Sequence, residues 1–139
     1  MEGLKLGGEK NLELLLRSLS AELVEGCHVF VTVRDGAVPD TISPRMMFRE
    51  AEGMTLLLMK SDAEELALEY EYPCRMITLN VHSSLHAVGF IARVATELAR
   101  EGISVNPVSA FFHDHLFVPD GRESDAMNIL ERIASGELK

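Results

Sequence analysis

Two short segments in the second half of the chain hold the residue types best suited to chemistry. The first is Ser83-Ser84-Leu85-His86-Ala87-Val88. It follows an apolar, β-branched run, Met76–Val81, and precedes a periodic segment, so it reads as a strand-to-helix junction. The first turn of a helix carries N–H groups without intrahelical acceptors and about half a positive charge. That suits a carboxylate or a phosphate, and Gly89 and Ala92 leave room for close approach. On the residues alone, a plain helix cap at Ser83 or Ser84 is the favoured reading of the pair. The second segment is His113-Asp114-His115, which reads as a tight turn between two strands. Asp114 there either bonds its own backbone, as aspartates in turns do, or offers its carboxylate to a ligand. A carboxylate opposite a helix N-terminus would match a zwitterion, with the amine on Asp114 and the acid on the helix.

Other chemistry finds less support. His82, His86, His113 and His115 are four of the five histidines, and a gathered set could bind zinc. His82 and His86 do not sit at i, i+4 on one helix, because the strand breaks between them, so no metal and no cofactor are expected. Cys27 and Cys74 lie outside any CxxC pair and near strand starts, which favours small buried side chains over a disulfide. No GxSxG, P-loop or Rossmann glycine pattern occurs. Ser84 and His86 are too close along the chain to make a nucleophile and its base. An enzyme is not expected.

Composition narrows the classes further. With 139 residues the chain is one medium domain or two very small modules. Hydrophobic residues make up 47%, enough for a true core. The net charge of −9, with no Lys/Arg cluster, argues against nucleic acid and against anionic membranes. No apolar run approaches the ~20 residues of a membrane span. Met1-Glu2-Gly3 opens acidic, unlike a signal peptide. A soluble, reducing, cytoplasmic setting is expected.

The elements that must position the two segments follow from periodicity. Leu4-Lys5-Leu6 alternates as a brief edge strand would. Asn11 opens a helix to about Ala21, with Leu12, Leu15, Leu16, Leu19 and Leu23 as its stripe and Glu25-Gly26 as its stop. Cys27–Val33 reads as a strand with Val29, Val31 and Val33 on one face. Arg34-Asp35-Gly36 reads as a turn, 38–45 as a loop, Met46–Arg49 as a strand, and Met54–Met59 as a strand covered on both faces. Ser61 and Glu64 fit a capping box for a short helix that ends before Tyr72-Pro73. After the Ser83-Ser84 junction, Leu85, Val88, Ile91, Ala92, Ala95, Leu98 and Ala99 share a helical face, with Arg93, Glu97 and Arg100 opposite and Gly102 as the stop. Strands Ile103–Phe111 and Leu116–Val118 flank the turn. Asp120, with Glu123, caps a last helix carrying Ala126, Met127, Leu130 and Ile133, which Ser135-Gly136 ends. Pro107 cannot donate to a ladder and belongs at a sheet edge or bulge.

Helix, strand, strand, helix, strand in the first half is echoed in the second. The stretch VHSSLHAVGFIARVATELAREGISVNPVSAFFHDHLFVP resembles an ACT domain, and GCHVFVTV with MFREAEGMTLLL resembles the N-terminal half of small stand-alone bacterial tandem-ACT proteins of unassigned function. The resemblance extends to the modules of aspartate kinases and of eukaryotic arginine-sensing proteins. It implies an α+β fold of tandem ferredoxin-like (βαββαβ) modules, residues 1–73 and 74–139. About seven strands are counted where two separate modules need eight. Either the modules intertwine around Met76–Val81, or Leu4-Lys5-Leu6 supplies an edge.

The resemblance also implies a regulatory or sensor protein that binds an amino acid or similar metabolite at a module interface and self-associates, with a dimer as the commonest closed form. Ser83, Ser84, Leu85, His86, Ala87, Val88, His113 and Asp114 are the implied binding residues; an acid placed like Asp114 contacts the ligand's basic group in the arginine-sensing relatives. The rival reading is a structural or interaction module that kept the fold and lost the pocket.

Overall fold

The structure, a computed structural model, describes residues 8–138. The expected edge strand at Leu4-Lys5-Leu6 lies outside them. The described elements are α1 (Leu12–Arg17), β1 (Ala21–Val33), β2 (Met46–Glu50), β3 (Gly53–Met59), α2 (Lys60–Glu65), β4 (Glu71–Leu79), α3 (Phe90–Arg100), β5 (Asn106–Ser109), β6 (Asp114–Pro119) and α4 (Glu123–Ala134). The six strands form one antiparallel sheet in the order β2-β3-β1-β4-β6-β5.

The sheet has one face under helices and one face without them. Side chains alternate along a strand. Ile77 and Leu79 of β4 and Leu116 and Val118 of β6 therefore point one way, into a core completed by Leu15 and Leu16 of α1, Phe90, Val94 and Leu98 of α3, and Ile129, Leu130 and Ile133 of α4. Val29, Val31, Leu56 and Leu58 continue that side under Ala63 of α2. Met76 and Phe117 alternate to the far face, where they meet Leu57 and Cys74, with Phe30, Met46, Tyr72 and Val108 packed around them.

One sheet joins the two halves of the chain. β4 pairs with β1 on one side and β6 on the other, so the strand that both halves require is shared within one sheet. The division expected at residues 73 and 74 falls inside β4. β5, which carries Pro107, is an edge strand as expected. Six strands are present among the described residues.

Several element boundaries differ from expectation. α1 ends at Arg17, and Leu23 belongs to β1, opposite Ile77. Pairing with β4 claims the segment from Ala21, and Glu25-Gly26 marks a register shift inside β1 rather than a helix stop. Gly26 adopts φ +102 there, and a β-carbon on it would lie 2.4 Å from the Met59 methyl. β4 begins at Glu71, so Pro73 lies within a strand. It does so beside a ladder irregularity between His28 and Phe30 of β1, where a missing N–H is tolerated.

Neither expected capping residue caps. α2 starts at Lys60 after Met59, and α4 starts at Glu123 after Arg122, with no side-chain cap in either case. Glu123 instead accepts the Gly121 N–H at 2.7 Å. Gly102 and Gly136 close α3 and α4 in left-handed conformations, as their positions suggested.

Candidate functional site

The largest departure concerns the two candidate segments. The helix does not begin after Ser83-Ser84. Residues 82–89 form an irregular loop, and α3 starts at Phe90, behind Gly89 at φ +93. The local cause is Ser84: its Oγ accepts the His86 N–H at 3.0 Å, and its carbonyl accepts the Ala87 N–H at 2.9 Å. The hydroxyl thus closes a turn and spends its capping capacity outside the helix. Starting later also rotates the helix. Phe90, Val94, Glu97 and Leu98 are the buried positions, while Leu85 is 66% and Val88 84% exposed. Glu97, expected on the solvent face, is buried between Arg93 and Arg100, at 3.4 and 2.8 Å.

The chain N-terminal to α1 holds this loop. Glu9 donates its N–H to the His82 carbonyl at 2.8 Å and accepts the Ser84 N–H at 2.9 Å, in a parallel bridge with Ser83. Gly8 makes the approach possible. A β-carbon there would lie 2.3 Å from both the Ser83 carbonyl carbon and the Ser84 nitrogen.

Asp114 is likewise not in a turn. The reversal spans Ala110 to His113, where the Ala110 N–H bonds the His113 carbonyl at 3.0 Å. β5 is correspondingly short, ending at Ser109 instead of Phe111. Asp114 is the first residue of β6, paired with Leu79 and Ser109 and only 5% exposed. Its Oδ2 accepts the Ser83 hydroxyl at 3.1 Å. It makes no salt bridge with a described Lys or Arg.

These groups border one cavity of about 170 Å³. Ser83, Ser84, Leu85, Ala87 and Asp114 line it, together with Gly89, Phe90, Ile91, Ala92, Ser109 and Ala110. Of the expected residues, His86, Val88 and His113 are not part of the lining. The first turn of α3 opens on the cavity, and Gly89 brings no side chain to cap it. The N–H groups of Phe90, Ile91 and Ala92 have no intrahelical acceptor. Asp114 and a helix N-terminus thus border one cavity, the helix starting five residues further along the chain than the serine pair suggested. Phe90, Ile91 and Ser109 were not foreseen. Gly89 was the available signal, since a glycine at left-handed φ also makes a helix boundary.

The histidines and cysteines lie elsewhere. His115 alternates with Asp114 to the far face, where its Nδ1 is 3.0 Å from Thr78 Oγ1. Burial, then the neighbouring His113, hold its pKa below the usual imidazole value, with Arg45 adding to this and Asp114 opposing it. His28 is buried against Phe117, and burial followed by Arg45 and Arg75 lowers it too. Cys74 donates its thiol to the His28 carbonyl at 3.3 Å, and burial pushes its pKa up to about 12. Cys27 and Cys74 are both free thiols. Among the described residues no group of three His, Cys, Asp or Glu side chains is placed to hold a metal, and no helix is long and apolar enough to cross a membrane.

Comparison with known proteins identifies the family. Residues 7–75 match the ACT domain, and residues 71–132 match it a second time. A crystal structure of a Vibrio cholerae protein of unknown function, described as a possible transport protein, is 44% identical over 88% of this chain and 95% of its own, with a TM-score of 0.80. The chain belongs to the ACT-domain family. The ACT fold is also that of an Agrobacterium tumefaciens protein (16% identity, 84% of this chain and 89% of that one, TM-score 0.66) and of the ligand-free regulatory subunit of Thermus thermophilus aspartate kinase (11%, 89% and 99%, 0.61). No curated protein matches the chain. The two ACT matches overlap at residues 71–75, the opening of the shared strand β4.

Proposed function

We propose that this ACT protein is a regulatory or sensor protein that binds a small amino acid or closely related metabolite without transforming it. Residues 1–73 and 74–139 would be its two modules. The observation that carries the reading is that Asp114 and the first turn of α3 border one small cavity. An α-carboxylate takes the N–H groups of Phe90, Ile91 and Ala92, where the helix dipole favours negative charge. The α-ammonium takes Asp114, with Ser83 steadying that carboxylate. A volume of about 170 Å³ is in keeping with a small ligand.

Leu85 on the cavity wall is exposed, as are Val88, Phe111 and Phe112 in the loops that supply Ala87 and Ala110 to that wall. Exposed apolar side chains of this kind suit a second copy, so we read the protein as a homodimer with this end of the sheet at its interface. They also support the rival reading, an interaction module without a ligand. A thermal-shift screen against the common amino acids separates the two. Free ligand at ~100 times its dissociation constant stabilises by roughly 2.7 kcal/mol. Absence of any shift at millimolar concentrations, with a dimer still present by sedimentation, would leave the interaction module standing.

A further inference from the structure

A second cavity, of about 320 Å³, lies on the face of the sheet without helices. Leu57, Met76 and Phe117 line it and are at most 5% exposed. Met46 from β2 and Val108 from β5 wall it, which shows the two outer strands bordering one cup. Only two polar side chains complete the lining beside this apolar set: Arg45 and His115. Arg45 forms no salt bridge with a described acidic residue, and no carboxylate lines the cup. Arg45 borders this cup beside His115 and a neighbouring recess beside His28, so it stands on this face of the sheet.

We infer that this cup is a separate binding site for an apolar monocarboxylate: a branched aliphatic or aromatic body in the cup, with its acid group at Arg45. Guanidinium pairs with carboxylate through two parallel N–H···O bonds. His115 also lines the cup, its ring steadied at Nδ1 by Thr78, and would supply a second polar contact. Without a carboxylate in the lining, nothing balances an ammonium group, so amines and free amino acids are disfavoured. This is the reverse of the Asp114 cavity, which has an acid and no basic side chain. The two sites therefore select different charges.

Three probes with one aromatic body test this: phenylacetate, phenethylamine and phenylalanine, titrated into the full chain and followed by backbone amide NMR. Phenylacetate should shift the amides of Met76 and Phe117, while the other two leave them in place. Arg45→Gln should weaken phenylacetate at least ~tenfold; Arg45 is exposed and keeps its backbone bond to Leu57, so the fold should persist. Asp114→Asn should leave phenylacetate binding unchanged, which separates this site from the amino-acid reading. Equal binding of phenethylamine, an unchanged affinity in Arg45→Gln, or no response to phenylacetate at millimolar concentration would each overturn the inference. So would shifts at Met76 and Phe117 that follow protein dilution alone, because the cup would then be covered by a second copy.

Discussion

Ser83 donates its hydroxyl to Asp114 across 31 residues of sequence, joining the loop after β4 to the first residue of β6 in a buried 3.1 Å hydrogen bond. The bond holds a carboxylate at the edge of a cavity with no described Lys or Arg in ion-pair contact.

Asp114→Asn keeps the size and the ability to accept from Ser83 while removing the charge. The unliganded melting temperature should stay within a few degrees. Affinity for whichever amino acid gives the largest thermal shift should fall at least ~tenfold, equivalent to about 1.4 kcal/mol. Calorimetry returning one dissociation constant for both proteins would make Asp114 a structural residue only.

Gly8→Ala is expected to act on the site at a distance. The added methyl cannot fit against the Ser83 and Ser84 backbone, so the loop must move. Amino-acid binding should weaken while Gly36→Ala, a left-handed turn glycine with open space around it, costs only about 1 kcal/mol of stability and leaves binding unchanged. Equal effects of the two changes on affinity would break the link between the N-terminal segment and the site.

Stability should fall with acid. His28 is lowered in the folded state, so between its folded and unfolded pKa values the unfolded chain binds more protons. Its contribution is complete above about pH 6.5, the unfolded value. It is lost as pH falls toward the folded value and flat below that. His115 acts in the same direction. Melting curves between pH 7.5 and 5 should show the decline, and His28→Leu should make it shallower. A parallel decline in both proteins would mean His28 titrates without resistance.

The thiols should separate by accessibility. With its pKa near 12 and its side chain buried, Cys74 is held as an inert thiol, whereas Cys27 is half-buried. At pH 8 a thiol reagent should label Cys27 slowly and Cys74 only at the rate of unfolding. Rapid labelling of a Cys27→Ser variant under native conditions would contradict the packing around Cys74.

Leu98→Ala removes a fully buried side chain from the joint core of α1, α3 and α4. A loss of about 2–5 kcal/mol is expected in denaturant unfolding. Val88→Ala, at an 84% exposed position that was expected on the same helical face, should cost under about 0.5 kcal/mol. Similar losses would restore the earlier helix phase.

The strands were legible because their signals are local. Val29 and Val31 alternate against Phe30, and the unbroken run through Leu56, Leu57 and Leu58 is buried on both faces as its composition implied. What misled was punctuation. Ser84, Ser61 and Asp120 are all good capping residues, yet none caps a helix, because a nearby turn or the preceding strand fixes the backbone first. The cavity was partly legible through Asp114 and the serine pair. Its other wall was hidden, because only the register of β5 against β6 sets Ser109 beside Asp114.

The shared strand also sets an order of events during synthesis. Residues 8–70 supply β1, β2, β3 and α2 but not β4, so β1 still lacks its partner on one side. α1 waits longer still. Its buried Leu15 and Leu16 lie in a core with Leu130 and Ile133, and Arg17 reaches the Ala134 carbonyl. A ribosome releasing this chain from its N-terminus therefore exposes an unsatisfied apolar helix until α4 emerges. A nascent chain stalled before residue 123 would hold Leu15 and Leu16 without the α4 side chains that bury them.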